Sequence, residues 1–212
     1  MNQKKLPIIL LIMVVIVLVW SMINPKDYWV WLLETFPALV GLIILVLSYK
    51  RFKLTDITYI IIAIHMTILF VGGHYTYAEN PLFEWIKETY NLQRNYYDRL
   101  GHFFQGLTPV IFGKELLLRK TKLENGKMLI FLLISIALAI SASYELLEWA
   151  STFSVPAEQG MAFLGSQGDI WDAQKDMLLA LIGAVAGIIL FSRIQDKQIK
   201  NLVYKKNGAA RI

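Results

Sequence analysis

Six apolar runs, each near the length needed to cross a bilayer, constrain this chain more than any other feature. They cover residues 6–23, 29–49, 55–72, 97–118, 128–150 and 170–192. Spanning roughly 30 Å of hydrocarbon at ~1.5 Å per residue takes about 20 predominantly apolar residues. With 56% hydrophobic residues in 212 and a mean hydropathy of +0.50, the chain carries more apolar surface than a soluble domain of its length can bury. The predicted fold is therefore an all-α integral membrane protein, a six-transmembrane-helix bundle forming a single polytopic domain over residues 1–212. A basic cytoplasmic tail, residues 193–212, follows the last span.

The first run follows Lys4 and Lys5, as the apolar core of a signal peptide would. It exceeds the usual core of about 7–15 residues, and Ser21-Met-Ile-Asn-Pro offers no small-x-small cleavage site, so it reads as a retained helix. Pro37 inside the second run predicts a kink, or a helix that starts near it, because proline lacks the backbone donor. Between the third and fourth runs, residues 73–96 lose hydrophobicity, and 82–90, rich in Trp, Phe and charge, reads as a short interfacial helix. Residues 151–168 read as a loop bearing Gly, Ser and Pro.

The charges between runs alternate. Lys4, Lys5, Lys50, Arg51, Lys53, Arg119, Lys120, Lys122, Lys127 and the tail fall on one side; Lys26, Lys87 and Arg94 stand clear on the other. The positive-inside rule then makes both termini cytoplasmic. That topology accounts for the net charge of +5 without nucleic acid. It also sends Trp20, Trp29, Trp31, Trp85, Trp149 and Trp171 to the outer interface, where an amphipathic ring is favoured.

Placed on this topology, the ionisable residues collect at one depth. Asp98, His102 and Gln105 open the fourth span, Glu145 and Glu148 close the fifth, and Asp169, Asp172 and Asp176 open the sixth. At about 100° per residue each set covers roughly 60° of its helix, a single polar stripe that should face the bundle interior, since charge in lipid costs at least about 2.5 kcal/mol. Asp98 and Asp169 can serve as helix caps, favoured by the macrodipole. Glu145 and Glu148 sit at a helix C-terminus, where the dipole opposes them, so something else compensates their charge. Only Arg99 and Lys175 stand against the six carboxylates. One divalent ion is a candidate compensator. Oxygen ligands and an imidazole suit Mg, Mn, Ca, Fe or Zn, with Asp98, His102, Glu145, Asp172 and Asp176 as ligands. A structural network of ion pairs and hydrogen bonds, or a proton- or ion-translocating site, explains the same residues. Cysteine is absent, which excludes disulfides and thiolate chemistry, and nothing signals a nucleotide, haem or flavin.

Other polar residues are secondary. His65, mid-span, is expected to hydrogen-bond a neighbour, and His74, with Glu79, to close over the constellation from the outer loop. Glu34 is expected to pair with a positive group in the outer third of its helix. Gly165-Ser-Gln-Gly168 offers backbone amides to an anion, while Gly183, Gly187, Ser141 and Ser143 let helices approach closely.

Four segments carry a family resemblance: His74-Tyr-Thr-Tyr-Ala-Glu-Asn-Pro81, Tyr97-Asp-Arg-Leu-Gly-His-Phe-Phe-Gln-Gly106, Ser143-Tyr-Glu-Leu-Leu-Glu-Trp149 and Leu164-Gly-Ser-Gln-Gly-Asp-Ile-Trp-Asp-Ala-Gln-Lys-Asp176. In these the chain resembles the YjdF family of bacterial inner-membrane proteins, which implies a membrane location and points to the same polar residues without supplying an activity. More loosely, the order Asp-x-x-x-His-Phe, Glu, Asp is similar to VanZ-like membrane proteins, associated with glycopeptide-antibiotic resistance. The Asn that follows the late Asp there has no counterpart here, so that phenotype is not carried over.

The leading expectation is a divalent-metal-assisted enzyme on an outer-leaflet lipid or envelope substrate. Glu148 is its general base, His102 a second catalytic group, and Arg99, Lys175, Gln105, His74 and Asp169 lie around the substrate. The alternatives are a proton- or ion-coupled transporter and a non-catalytic membrane scaffold. Against transport, no polar stripe continues toward the cytoplasmic side.

Overall fold

The structure, a computed structural model, describes residues 5–154 and 156–209, with side chains as far as Val203. The chain runs through α1 (Lys5–Ser21), α2 (Tyr28–Ser48), α3 (Asp56–Tyr75), a short 3₁₀ turn (Tyr77–Glu79), α4 (Pro81–Thr89), α5 (Tyr97–Lys120), α6 (Lys127–Ser151), α7 (Ala157–Leu164) and α8 (Asp172–Ala209). No strand occurs among the described residues. Four helices are long and apolar enough to cross a membrane: α2, α3, α6 and the Asp172–Val203 part of α8. α1 is apolar but shorter. α5 has the length, but charged residues occupy both of its ends.

Local chemistry sets the helix boundaries. The Asp27 carboxylate accepts from the backbone N–H groups of Trp29 and Val30 to start α2, and the Asn80 side chain accepts from Leu82 and Phe83 N–H to start α4 with Pro81 in its first turn. α2 continues through Pro37 from Tyr28, so the proline does not delay its start. The predicted 151–168 loop contains α7, entered from Pro156 and ended by Gly165 at φ 63°, a left-handed position that glycine adopts freely. The predicted tail is a helical continuation of α8 to Ala209, since nothing between 193 and 209 is a strong helix breaker except Gly208 near its end. Lys4, and the side chains of Lys205, Lys206 and Arg211, which entered the charge argument, lie outside the described residues.

α5 is the hub. It packs against α3, α6 and α8, while α1 and α2 each pack on α3. One core, around Val14, Ala38, Met66 and Phe70, joins α1, α2 and α3; a second, around Val110, Leu133, Ala137 and Ala184, joins α5, α6 and α8. At the end carrying the polar stripes, α7 packs on both α2 and α6, which have no substantial contact of their own. Trp31 departs from the expected interfacial ring. It is buried and donates from Nε1 to Ser21 Oγ at 3.1 Å, whereas Trp29, Trp85, Trp149 and Trp171 are exposed.

The α5–α8 contact uses small residues to bring backbones together. A Cβ on Gly106 would stand 1.7 Å from the Ala180 carbonyl oxygen, and one on Gly183 would stand 1.9 Å from that of Phe103. No side chain can retreat from a backbone atom, so the helices must separate. Gly183→Leu is expected to lower stability by at least about 1–3 kcal/mol, read as an earlier thermal transition in detergent, while Ile189→Val on the exposed face changes it by less than about 0.5 kcal/mol.

Candidate functional site

Three helices bring the predicted residues to one end of the bundle, and the α4–α5 linker completes them. Asn95 organises that linker. Its side chain donates to the Asn80 carbonyl and accepts from Tyr97 N–H, while its own backbone is clamped by Gln167, which accepts from Asn95 N–H at 2.9 Å and donates to its carbonyl at 2.9 Å. The linker is thereby zipped to the 165–168 loop. Arg94 follows from that geometry. Its guanidinium donates to the carbonyls of Gly165 and Ser166, pairs directly with Asp172, and lies 3.6 Å from Asp98 and 3.8 Å from Asp169. The glycine-bearing loop therefore binds a cation through its carbonyls, where an anion at its amides was expected.

Arg94 lies clear of the helices, between α4 and α5, but at 5% exposure it joins Arg99 and Lys175 against the carboxylates, an addition to the expected charge count with a plain cause. A guanidinium four residues before Asp98 is carried over the start of α5 onto the carboxylates of α8. Arg99 completes the pairing. It reaches Asp172 Oδ1 at 2.7 Å and Asp169 Oδ2 at 3.4 Å, and bonds Asp176. Asp172 is thus shared between two arginines. Asp169 sits at the edge, and a hydrogen bond from Lys175 at 2.7 Å, with a second from Trp171 N–H, holds its carboxyl below the usual carboxylate range.

His102 lies deeper, at 3% exposure. Nε2 is 3.2 Å from Asp98 Oδ1 and 3.9 Å from Asp176 Oδ1; Nδ1 is 3.0 Å from Gln105 Oε1 and 3.5 Å from Glu145 Oε1. If Nδ1 donates to Gln105, the Nε2 lone pair faces Asp98 and Asp176, the way an orienting hydrogen bond selects the tautomer of a ligating histidine. Two groups can hold a metal ion by geometry: Asp98, His102 and Asp176, and His102, Glu145 and Glu148, with one ligand atom from each residue lying within 4.8 Å of the others. Asp172 belongs to neither group.

Glu34 of α2 is a member of this neighbourhood that sequence reasoning left unplaced. It is fully buried near Asp98 and His102, and the Tyr77 and Tyr144 hydroxyls face its carboxylate without closing a hydrogen bond of ordinary geometry. The Tyr77 and Tyr144 hydroxyls and Glu145 Oε1 are also without partners. The expected positive partner for Glu34 is not there. A buried glutamate at the other end of α5 shows what saturation looks like: Glu115 accepts from Thr55 N–H and Oγ1, from Thr58 Oγ1 and from Arg119. Buried polar atoms are normally paired, so the open positions around Glu34 and Glu145 are the unusual ones.

Two expectations fail on contacts. His74 turns toward α1, its Nδ1 3.2 Å from the Ser21 carbonyl and its ring stacked near Trp20, while Glu79 pairs with Lys26; neither closes over the constellation. His65 has no hydrogen bond among the described residues and instead lines a cavity, 6.2 Å from the Phe104 ring.

The family model for a predicted membrane protein family, DUF2238, matches residues 6–197. The chain belongs to that family. It is also 40% identical over 185 residues to the inner membrane protein YjdF of Escherichia coli (strain K12), covering 87% of this chain and 88% of the relative. No solved structure matches. The family and its apolar helices make this a multi-pass inner-membrane protein.

Arg94 tests the compensation of charge. Arg94→Ala is expected to cost about 3–5 kcal/mol by leaving buried carboxylates short of a partner, and Arg94→Ala combined with Asp172→Ala less than the sum of the two single losses; thermal denaturation of the detergent-solubilised variants reads both.

Proposed function

We propose that this single-domain protein crosses the inner membrane six times, with α1 and α5 adding to the four long apolar helices, and keeps both termini and its basic helical tail in the cytoplasm. The charge alternation between spans supports this orientation. It puts the carboxylate/His cluster at the extracytoplasmic face. A reporter fusion checks it: a cytoplasm-only fluorophore on the C-terminus is expected to fluoresce, and an export-dependent phosphatase inserted after Asn91 to be active.

The cluster binds one divalent metal ion and acts on a phosphate ester of an outer-leaflet lipid. One observation carries this reading: carboxylates from α5, α6 and α8 converge on the two nitrogens of His102 while buried oxygens there remain unpartnered. Asp98, His102 and Asp176 form the first ligand set, with Gln105 orienting the imidazole and Glu145 on its opposite edge. The ion supplies charge stabilisation at a phosphoryl oxygen. Glu148 takes a proton from the attacking water as its oxygen bonds to phosphorus. The ester P–O bond breaks, and Glu148 returns the proton to the leaving oxygen. Arg94, Arg99 and Asp172 hold the cluster together, which leaves Lys175, half exposed beside Asp169, as the cation at the aqueous rim.

The pairing of both arginines favours one other reading, a scaffold whose polar network serves stability alone. Transport is less supported, because Ile61, Leu107 and Ile111 pack together between this cluster and the Glu115 network. Metal analysis separates the first two. Purified protein titrated with Mn²⁺ is expected to bind about one ion per chain, and His102→Ala and Asp176→Asn to lose binding while remaining folded by thermal denaturation; no stoichiometric metal in the parent protein overturns the enzyme reading.

A further inference from the structure

Beneath the cluster lies a cavity of about 330 Å³ whose walls are almost wholly apolar. α2 supplies Ala38, Gly41 and Leu45, α5 supplies Pro109 and Phe112, and α6 supplies Ile140. Its polar end is Asp98, His102, Gln105, Tyr77 and Tyr144. From Gly101 to Phe112 the cavity follows α5 for about 16 Å, roughly half the hydrocarbon thickness, so it extends from the cluster to mid-membrane depth. α2 and α6, which both line it, do not pack on each other, and α7 ties them together only at the end carrying the cluster. The opening thus faces the bilayer sideways, with Ile44 and Ile140 exposed at its edges.

Two observations point to the occupant. An apolar cleft open to lipid fills with hydrocarbon. At the polar end, Tyr77 is 5% exposed with an unpartnered hydroxyl, beside the unpartnered Tyr144 hydroxyl and the fully buried, unpartnered Glu34. The two O–H groups face the Glu34 carboxylate without closing a well-formed hydrogen bond to it, which leaves them able to turn to an acceptor-rich group at the head of the cavity.

We infer that a phosphate-bearing membrane lipid enters between α2 and α6, lays one hydrocarbon chain in this cavity and brings its phosphate to Tyr77, Tyr144 and His102. The assignment of the phosphate rests on the metal reading above, because no permanent cation lines this cavity; the seat of the chain does not. Gly41 and Gly101 leave the cavity its width, and Phe163 of α7 packs behind Tyr144, 6.1 Å ring to ring.

The test uses the full chain in nanodiscs with a phosphatidic acid analogue carrying a photoreactive group mid-chain, and a diacylglycerol analogue with the same chain. Expected labelling by phosphatidic acid falls on residues 38–45 and 108–112, rises with Mn²⁺ and exceeds that by diacylglycerol. It is lost in Gly41→Phe, which fills the cavity, and in Ile140→Trp, which obstructs its edge from an exposed position and leaves the core untouched. His102→Ala is expected to abolish the Mn²⁺ response and keep the chain labelling. Labelling spread evenly over lipid-facing positions such as Leu47 and Ile189, and unchanged in both variants, overturns the proposal. Cavity labelling with no metal response, equal for the two lipids, supports the chain's seat and overturns the phosphate assignment together with the metal reading.

Discussion

The arrangement of carboxylates around Arg94 and Arg99 is the interaction on which this end of the molecule depends. Asp98, Asp169, Asp172 and Asp176 come from two helices and a loop, and each lies beside at least one guanidinium. Without these planar cations, that much negative charge cannot be held in a dry helix interface, since each uncompensated ion retains a desolvation cost of several kcal/mol. Arginine fits this role better than lysine because its fork reaches two acceptors at once. What the arginines do not reach is informative in turn: Glu34, Glu145 and Glu148 pair with neither of them.

The same helix carries a second polar centre with the opposite character. Glu115 is fully buried and its oxygens are saturated by Thr55, Thr58 and Arg119, while Gln195 ties α8 to the Ile111 carbonyl nearby. At that end the carboxylate itself is fully partnered, and only the Gln195 side-chain oxygen is left open. The His102 end has acceptors and donors left over, next to a lipid-facing cavity. One helix thus carries a buried carboxylate that is fully partnered, Glu115, and a group of carboxylates around His102 that is not, separated by the Ile61, Leu107 and Ile111 core. The contrast is what makes the outer cluster a candidate for chemistry.

Much of this was legible in the chain. Apolar run length marks the helices, and the spacing of 98, 102 and 105, of 145 and 148, and of 172 and 176 marks the faces that meet, because a helix repeats every 3.6 residues wherever it is placed. Arg94 stays out of the charge count for an equally physical reason: it lies in a polar linker, and only the Gln167 clamp on Asn95 turns it inward. Glu34 is a lone carboxylate with no partner at helical spacing, so its membership required knowing that α2 faces α5 across the Tyr77 ring. His74 follows a glycine pair and reads as an outer-loop residue over the constellation, yet it packs against α1. The second network was missed because Lys114 and Glu115 close an apolar run in the manner of ordinary flanking charges.

The sequence by itself determined that this is a membrane-embedded helical protein, and that its carboxylates and His102 gather at the end of the bundle from which the fourth span starts, since hydrophobic length and helical period are properties of the local chain. Only the tertiary structure decided which of those charges are compensated and which remain open. Compensation depends on contacts between residues as far apart as Arg94 and Asp172 or Glu34 and Tyr144. Those contacts are set by the approach of α8 to α5 and by the gap between α2 and α6, and neither is written in any one segment.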